Sequence, residues 1–217
     1  DGNGEPTGLT HVPNGTGPVS TNGEFGQPVD PNTITARGLK AQYQDEFILG
    51  FDKKLSANWN AGVKGTYRIL RSAIDDYCNM PLVMDYINAH GMNSADYDLP
   101  GRGHGCFIIN PGKTNTFALK RVDGRGYDAL TMTNQDLGFD TGPSRKYQAV
   151  DLYLERPFDG KWSLRVDYTW SRLSGNTEGQ VRSDNGQADV AVTSTWDYPE
   201  LMIGSDGLLP NDREHQV

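Results

Sequence analysis

The stretch WSLRVDYTWS, residues 162–171, decides the fold class. Trp162, Leu164, Val166, Tyr168 and Trp170 fill its even positions; Ser163, Arg165, Asp167, Thr169 and Ser171 fill its odd ones. Successive side chains of a β-strand point to opposite faces, so a period of two predicts a strand with one apolar and one polar face. Whether the apolar face meets a protein core or lipid is what the remainder of the chain must decide.

The segment before it follows the same rule. Between Tyr147 and Phe158, Val150, Leu152 and Leu154 share one face, and Asp151, Tyr153 and Glu155 the other. Cross-strand partners lie on one face, so a slip of one residue would set apolar against polar positions. A two-residue Asp-Gly turn would cause that slip. A three-residue loop, Asp159–Lys161, avoids it and sets Leu154 opposite Val166 and Glu155 opposite Arg165. An earlier pair repeats the plan. From Leu39 to Leu55 the odd positions include Tyr43, Phe47, Leu49 and Phe51, and from Trp59 they include Ala61, Val63, Tyr67 and Ile69. A loop of Ser56, Ala57 and Asn58 then places Leu55 opposite Trp59 and Glu46 opposite Arg68. Facing opposite charges add ~0.2–1 kcal/mol in each hairpin.

Composition narrows the class. The 217 residues are only 35% hydrophobic, with 26 Gly and 12 Pro, and aromatics reach 10%. Mean hydropathy is −0.63. This predicts a small core with long loops, and the aromatic content argues against plain disorder. A net charge of −8 with no basic patch speaks against a nucleic-acid partner. The opening residues show no leader pattern, and no apolar run approaches the ~18 residues of a membrane helix. Barrel strands carry a far weaker signal and stay open.

Cys78 and Cys106 lie 28 positions apart in a polar, Gly-rich region. The reading is a disulfide closing a loop in an oxidising compartment. The alternatives are free thiols or a metal pair completed by His90 and His104, although that spacing matches no standard zinc pattern. No cofactor or metal is expected.

Five segments emerge. Residues 1–38 form a Gly/Pro/Asn-rich loop or disordered stretch. Its opening DGNGEPTG lacks the acidic twelfth position of a calcium loop, where Val12 stands. Residues 39–71 and 147–174 are the two hairpins. Between them, 72–146 is a long loop with a short helix over 80–91 and short strands at 106–110, 116–120 and 129–133. Residues 175–217 form a polar loop leading to a further strand, with 190–196 as a strand candidate and 209–217 closing as a loop.

Spacing bears on the lipid question. Trp59 and Tyr67 are eight residues apart on one face, as are Trp162 and Trp170. Eight residues span about 26 Å along a strand. At a tilt of ~40° that is roughly 20 Å of height, close to the ~25 Å apolar band of an outer-membrane barrel with its aromatic girdles. Lys64, Arg68, Arg165 and Asp167 on the opposite face suit a water-filled lumen. A soluble antiparallel β-sandwich, with those charges simply exposed to solvent, is the alternative fold.

Four stretches, taken in order, carry a family resemblance: YQDEFILGFDKKLSANWNAGVKGTYRIL, YQAVDLYLERPFDGKWSLRVDYTWSRLSGNTEG, SDNGQ and LPNDREH. Over roughly residues 30–217 the chain resembles the barrel region of TonB-dependent outer-membrane receptors, in particular the Oar-like, OmpA-related group. The resemblance implies a mainly β fold, antiparallel hairpins of a 22-stranded transmembrane barrel with an N-terminal plug and a periplasmic TonB box. It places 72–146 outside the cell and the turns at 56–58 and 159–161 in the periplasm. With about four strands and neither plug nor TonB box read in it, the chain is expected to be a fragment whose sheet need not close.

The implied function is ligand import across the bacterial outer membrane. Its partners would be outer-membrane lipid, the TonB system and an unknown extracellular ligand. A surface adhesion or carbohydrate- or protein-binding module without transport is the alternative. Tyr86, Tyr97, Tyr127 and Trp196 are loop aromatics, with packing weighed ahead of ligand contact for each. An enzyme is not expected. His90, Ser94 and Asp96 follow one another in a loop without a nucleophile elbow, and the pairs Asp75/Asp76 and Asp96/Asp98 show no acid–base partner. Asn14-Gly15-Thr16 fits a glycosylation sequon, which matters only in a eukaryotic secretory setting. Alkylation of the unreduced, denatured protein is expected to leave both cysteines unmodified, with two additions by mass after reduction; full alkylation without reductant would refute the disulfide.

Overall fold

The computed structural model describes residues 30–100, 105–178, 181–182, 187–188 and 194–217. In chain order its elements are α1 (Pro31–Ile34), β1 (Tyr43–Ser56), β2 (Trp59–Ser72), β3 (Asp75–Tyr77), α2 (Met80–Ala89), β4 (Tyr97–Asp98), β5 (Phe107–Ile109), β6 (Asn115–Arg121), β7 (Tyr127–Met132), β8 (Arg145–Arg156), β9 (Leu164–Gly175), β10 (Val181–Arg182), β11 (Gln187–Ala188), β12 (Gly207–Leu208) and β13 (His215–Gln216). The protein is mainly β and its sheets are antiparallel. Among the described residues they do not close into a barrel.

The amphipathic runs form one sheet, ordered β1-β2-β8-β9-β12, with β13 also on β9. Parity sets its register. Glu46 pairs with Arg68, Leu154 with Val166, and Glu155 with Arg165. β2 pairs directly with β8, Val63 against Leu152 and Ile69 against Lys146. The apolar positions of all four long strands therefore share one face. No second sheet packs on that face among the described residues, so the sandwich alternative is not the fold observed.

The hairpin ends depart from expectation. Ser56, not Leu55, pairs with Trp59, because a bulge between Lys54 and Ser56 absorbs one residue and leaves a two-residue turn. The second connection spans 157–163 rather than 159–161, so Trp162 and Ser163 lie outside the strand. Pro157 has no N–H to continue the ladder. The Arg156 guanidinium fills the connection instead. It donates to the Trp162 carbonyl at 2.7 Å and to the Asp159 carboxylate, and lies 3.8 Å from the Trp162 ring centroid. The first strand begins at Tyr43 rather than Leu39. Residues 209–217 are not all loop, since His215 and Gln216 pair with Trp170 and Thr169. The strand candidate at 190–196 falls mostly outside the described residues, and Ser194–Trp196 is not strand. DGNGEPTG, the 14–16 sequon and His104 lie outside them entirely.

The segment between β2 and β8 is a folded insertion with its own core. Asn79 caps α2 by accepting the Leu82 N–H, and Met80, Val83 and Ile87 face inward. They pack with Tyr77, Phe107, Phe117, Leu130, Leu137 and Phe139. Cys78 and Cys106 form the disulfide, closing a loop of separation 28, a constraint of roughly 3–4 kcal/mol on the unfolded chain. Two buried residues reach this core from outside the insertion. Ala36 arrives from the segment before β1, its N–H donating to the Ile108 carbonyl at 2.9 Å. Trp196 arrives from beyond β9, edge-on to Phe139 at 4.9 Å between centroids.

Asparagines satisfy the irregular backbone where wall and insertion meet. Asn110, buried, donates to the carbonyls of Ala73 (2.7 Å) and Lys40 (2.9 Å) and accepts the Lys40 N–H (2.7 Å). Asn176 and Asn134 bind the 141–144 stretch and the turn at Gly112 in the same way. Buried backbone groups left without partners cost ~1–3 kcal/mol each. Asn110→Ala is therefore expected to lower stability by about 2–3 kcal/mol in denaturant titration followed by near-UV circular dichroism. A loss under about 0.5 kcal/mol would contradict this role.

Candidate functional site

The wall has two unlike faces. On one, Phe47, Leu49 and Phe51 of β1, Val63 of β2, Val150, Leu152 and Leu154 of β8 and Leu164 and Val166 of β9 form a continuous apolar surface, all exposed and reaching 84% at Leu49. Aromatics mark its two levels. Trp59 and Trp162 meet edge-to-face at 6.1 Å at the turn end. Phe47 pairs with Tyr67 near the insertion, and Trp170 opposes Val150 one row below. Above that level polar residues return, as Tyr67 pairs with Gln148 and Gln148 with Arg172. Lys53 departs from the pattern beside Ala61, one row from the turn-end tryptophans. A long ammonium stem can snorkel from such a position.

The other face is polar and internally paired. Lys64 bonds Asp151 at 3.0 Å, Thr169 donates to Asp151 at 2.6 Å, and Tyr153 donates to Asp52 at 2.7 Å. Arg68 forks onto Glu46 as the register requires. Arg165, although opposite Glu155, instead forks onto Asp167 of its own strand with two bonds of 2.9 Å. Residues two apart on a strand share a face, so the nearer carboxylate wins. Gly62 is required here: a Cβ would stand 2.3 Å from both the Tyr153 ring and Asp52. The ring covers the bare backbone of its cross-strand neighbour.

The insertion places the residues singled out in the sequence as follows. Trp196 is fully buried. Tyr97 is buried with its hydroxyl donating to Asp128 at 2.8 Å, and Tyr86 stacks on His90 at 4.0 Å. Tyr127 is exposed, its hydroxyl donating to Asp30 at 2.9 Å. His90 Nδ1 meets the Tyr86 carbonyl at 2.8 Å, while the Ser94 N–H donates to Asn88. Asp98 faces Lys120 at 3.8 Å.

One pairing could not be anticipated from spacing. Asp75 and Asp76 on β3 meet Asp197 from beyond β9, with carboxylate oxygens within 4.8 Å of one another. The same segments are tied by the Cys78 N–H donating to the Asp197 carbonyl at 2.9 Å. Burial, followed by the Asp197 and Asp75 carboxylates, pushes the Asp76 carboxyl up to about 8. Burial raises Asp197 as well. Both shifts favour the neutral form of the carboxyls at the joint. Oxygen ligands of this kind suit a hard cation, and protonation relieves the same repulsion. Burial also raises the Tyr77 phenol beside them, whose hydroxyl donates to the Leu137 carbonyl at 3.0 Å.

These features define an open antiparallel β wall, apolar on one side and ion-paired on the other, carrying a disulfide-closed insertion at one end. The chain is 32% identical over 192 residues, 88% of its length, to the TonB-dependent transporter Oar of Myxococcus xanthus. That is an Oar-like relationship over part of the transporter, and the chain spans 14% of the relative's length. No family model matches the chain, and no solved structure matches it significantly.

The raised Asp76 carboxyl fixes a pH dependence. A carboxyl whose pKa is raised on folding contributes fully below its unfolded value of ~3.9, and that contribution is lost as pH rises through about 8. Asp76→Asn keeps the neutral form. The melting-temperature difference between Asp76→Asn and the parent is expected to be smallest below about pH 4 and to widen, in favour of the variant, up to about pH 8. A difference independent of pH would exclude the raised carboxyl.

Proposed function

We propose that the four long strands are part of the wall of a TonB-dependent transporter's β-barrel in the bacterial outer membrane. Their apolar face lies against lipid, their ion-paired face lines the lumen, and the insertion stands outside the cell where ligand is captured. The observation that carries this is the exposed apolar face spanning all four strands, backed by a face of paired charges. In water a contiguous apolar surface of this extent is costly and calls for a partner. In a barrel the partner is the hydrocarbon core, and the aromatics at both levels sit at its interfaces.

The free edge of β1 supports the same reading. Its 14 residues pair only with β2 among the described residues. A long, exposed, apolar edge strand invites further pairing, which a barrel supplies. Energy coupling through the TonB system and import of a ligand come with the proposal through the Oar relationship. Binding and transport, not catalysis, are the work assigned to this chain.

The test compares like charges on opposite faces of the wall in the intact receptor in cells. Leu152→Arg sets a cation in mid-band on the lipid side, where it costs about 2–4 kcal/mol. Thr66→Arg sets the same cation on the lumen side. Folded receptor in the outer-membrane fraction, read by heat-modifiable gel mobility, is expected to fall several-fold for Leu152→Arg and to stay near the parent level for Thr66→Arg. Equal accumulation of both variants would overturn the orientation.

A further inference from the structure

At the junction of wall and insertion, the polar face holds a cavity of about 160 Å³ lined by Gln44, Arg68, Arg145, Tyr147 and Leu173. It is built by register. Glu46 pairs with Arg68, Arg68 with Tyr147, and Tyr147 with Leu173, forming one row across all four strands. Arg145 stands one row higher on β8, opposite Gly175.

The two arginines differ in how they are satisfied. Arg68 gives two of its nitrogens to Glu46 and lies 5.5 Å from the Tyr147 ring centroid. Arg145, close by, makes no carboxylate ion pair among the described residues. Its Nε is buried and has no hydrogen-bond acceptor among the described residues. Glu178 attracts it electrostatically and Arg68 repels it. Guanidinium groups remain charged at any physiological pH, and a buried donor left unpaired costs ~1–3 kcal/mol. The backbone around Arg145 is clamped. The Asn176 N–H donates to the Ser144 carbonyl at 2.8 Å, and the Asn176 side chain accepts the Ser144 N–H at 2.6 Å. Gly175 lets the strands approach so closely that a Cβ there would stand 2.0 Å from the Ser144 carbonyl oxygen.

A guanidinium with a desolvated donor that lacks an acceptor among the described residues, beside a second cation and an aromatic ring, is chemically suited to an anion. We propose that this cavity binds an oxyanion group, a carboxylate or phosphate, of a ligand passing along the polar face, with Arg145 as its principal contact and Arg68 as the second charge. The place of this group in transport rests on the lumen reading above, but binding itself does not.

The test uses the full chain in detergent micelles at low ionic strength. Equilibrium dialysis with labelled succinate and labelled orthophosphate distinguishes the two oxyanions. Saturable binding of at least one of them, one per chain, is expected. It should weaken at least tenfold in Arg145→Gln and hold in Arg125→Gln, which removes an exposed arginine from the insertion. A variant-free readout accompanies it: the ¹H–¹⁵N resonance of the Arg145 Nε–H should shift on addition of the bound probe. No saturable binding of either probe up to roughly 10 mM, equal weakening in both variants, or an unmoved Arg145 resonance would each overturn the proposal. The Leu152→Arg and Thr66→Arg comparison reads the lipid face independently, so either idea can fail alone.

Discussion

Everything in this protein hangs on the pairing of β2 with β8. Ile69 opposite Lys146 fixes the two ends of the insertion on neighbouring strands. Without that ladder the insertion would be a long excursion with nothing to close it. With it, lengthening the excursion costs little, since loop-closure entropy grows by only ~0.6 kcal/mol per doubling of length. The same ladder carries the alternation of one hairpin into the next. An odd-numbered position on β2 meets an even-numbered one on β8, so the apolar sets of both hairpins land on one side.

The polar side is economical. Its charges pair mostly across or along strands, by Lys64 with Asp151, Arg68 with Glu46 and Arg165 with Asp167. Exposed pairs of this kind contribute about 0–1 kcal/mol each. They keep the face hydrated and nearly neutral without being a chief source of stability. Against that background the under-satisfied guanidinium of Arg145 stands apart. The insertion follows the opposite logic, with buried aromatics, a disulfide and asparagine side chains in place of ladders.

The wall was legible in the sequence because its signal is local. Alternation around Val63, Leu152 and Val166 needs only neighbours to be read, and parity together with a short turn then narrows the register. The errors sit at the hairpin ends. There Pro157 and the Arg156 side chain, not face parity, set where the strand stops, and a bulge near Ser56 absorbs a residue without disturbing the faces. The helix over Met80–Ala89 was visible through its spacing and the following Gly91. The joint of Asp76 with Asp197 was not, because the two acids lie far apart in the chain and neither has a distinctive neighbourhood. For Trp196 packing was the expected role, and the structure buries it; which core it would join was not legible, because that core lies in a distant segment of the chain. The Arg145 cavity shows the same limit, since four strands each contribute one or two residues to it.

The core of the insertion draws Ala36 from before β1 and Trp196 from after β9. Segments that flank the four long strands in the chain therefore meet in one core, buried together at the insertion's end of the sheet. The insertion is thus the place where the two flanks of the wall are tied to each other.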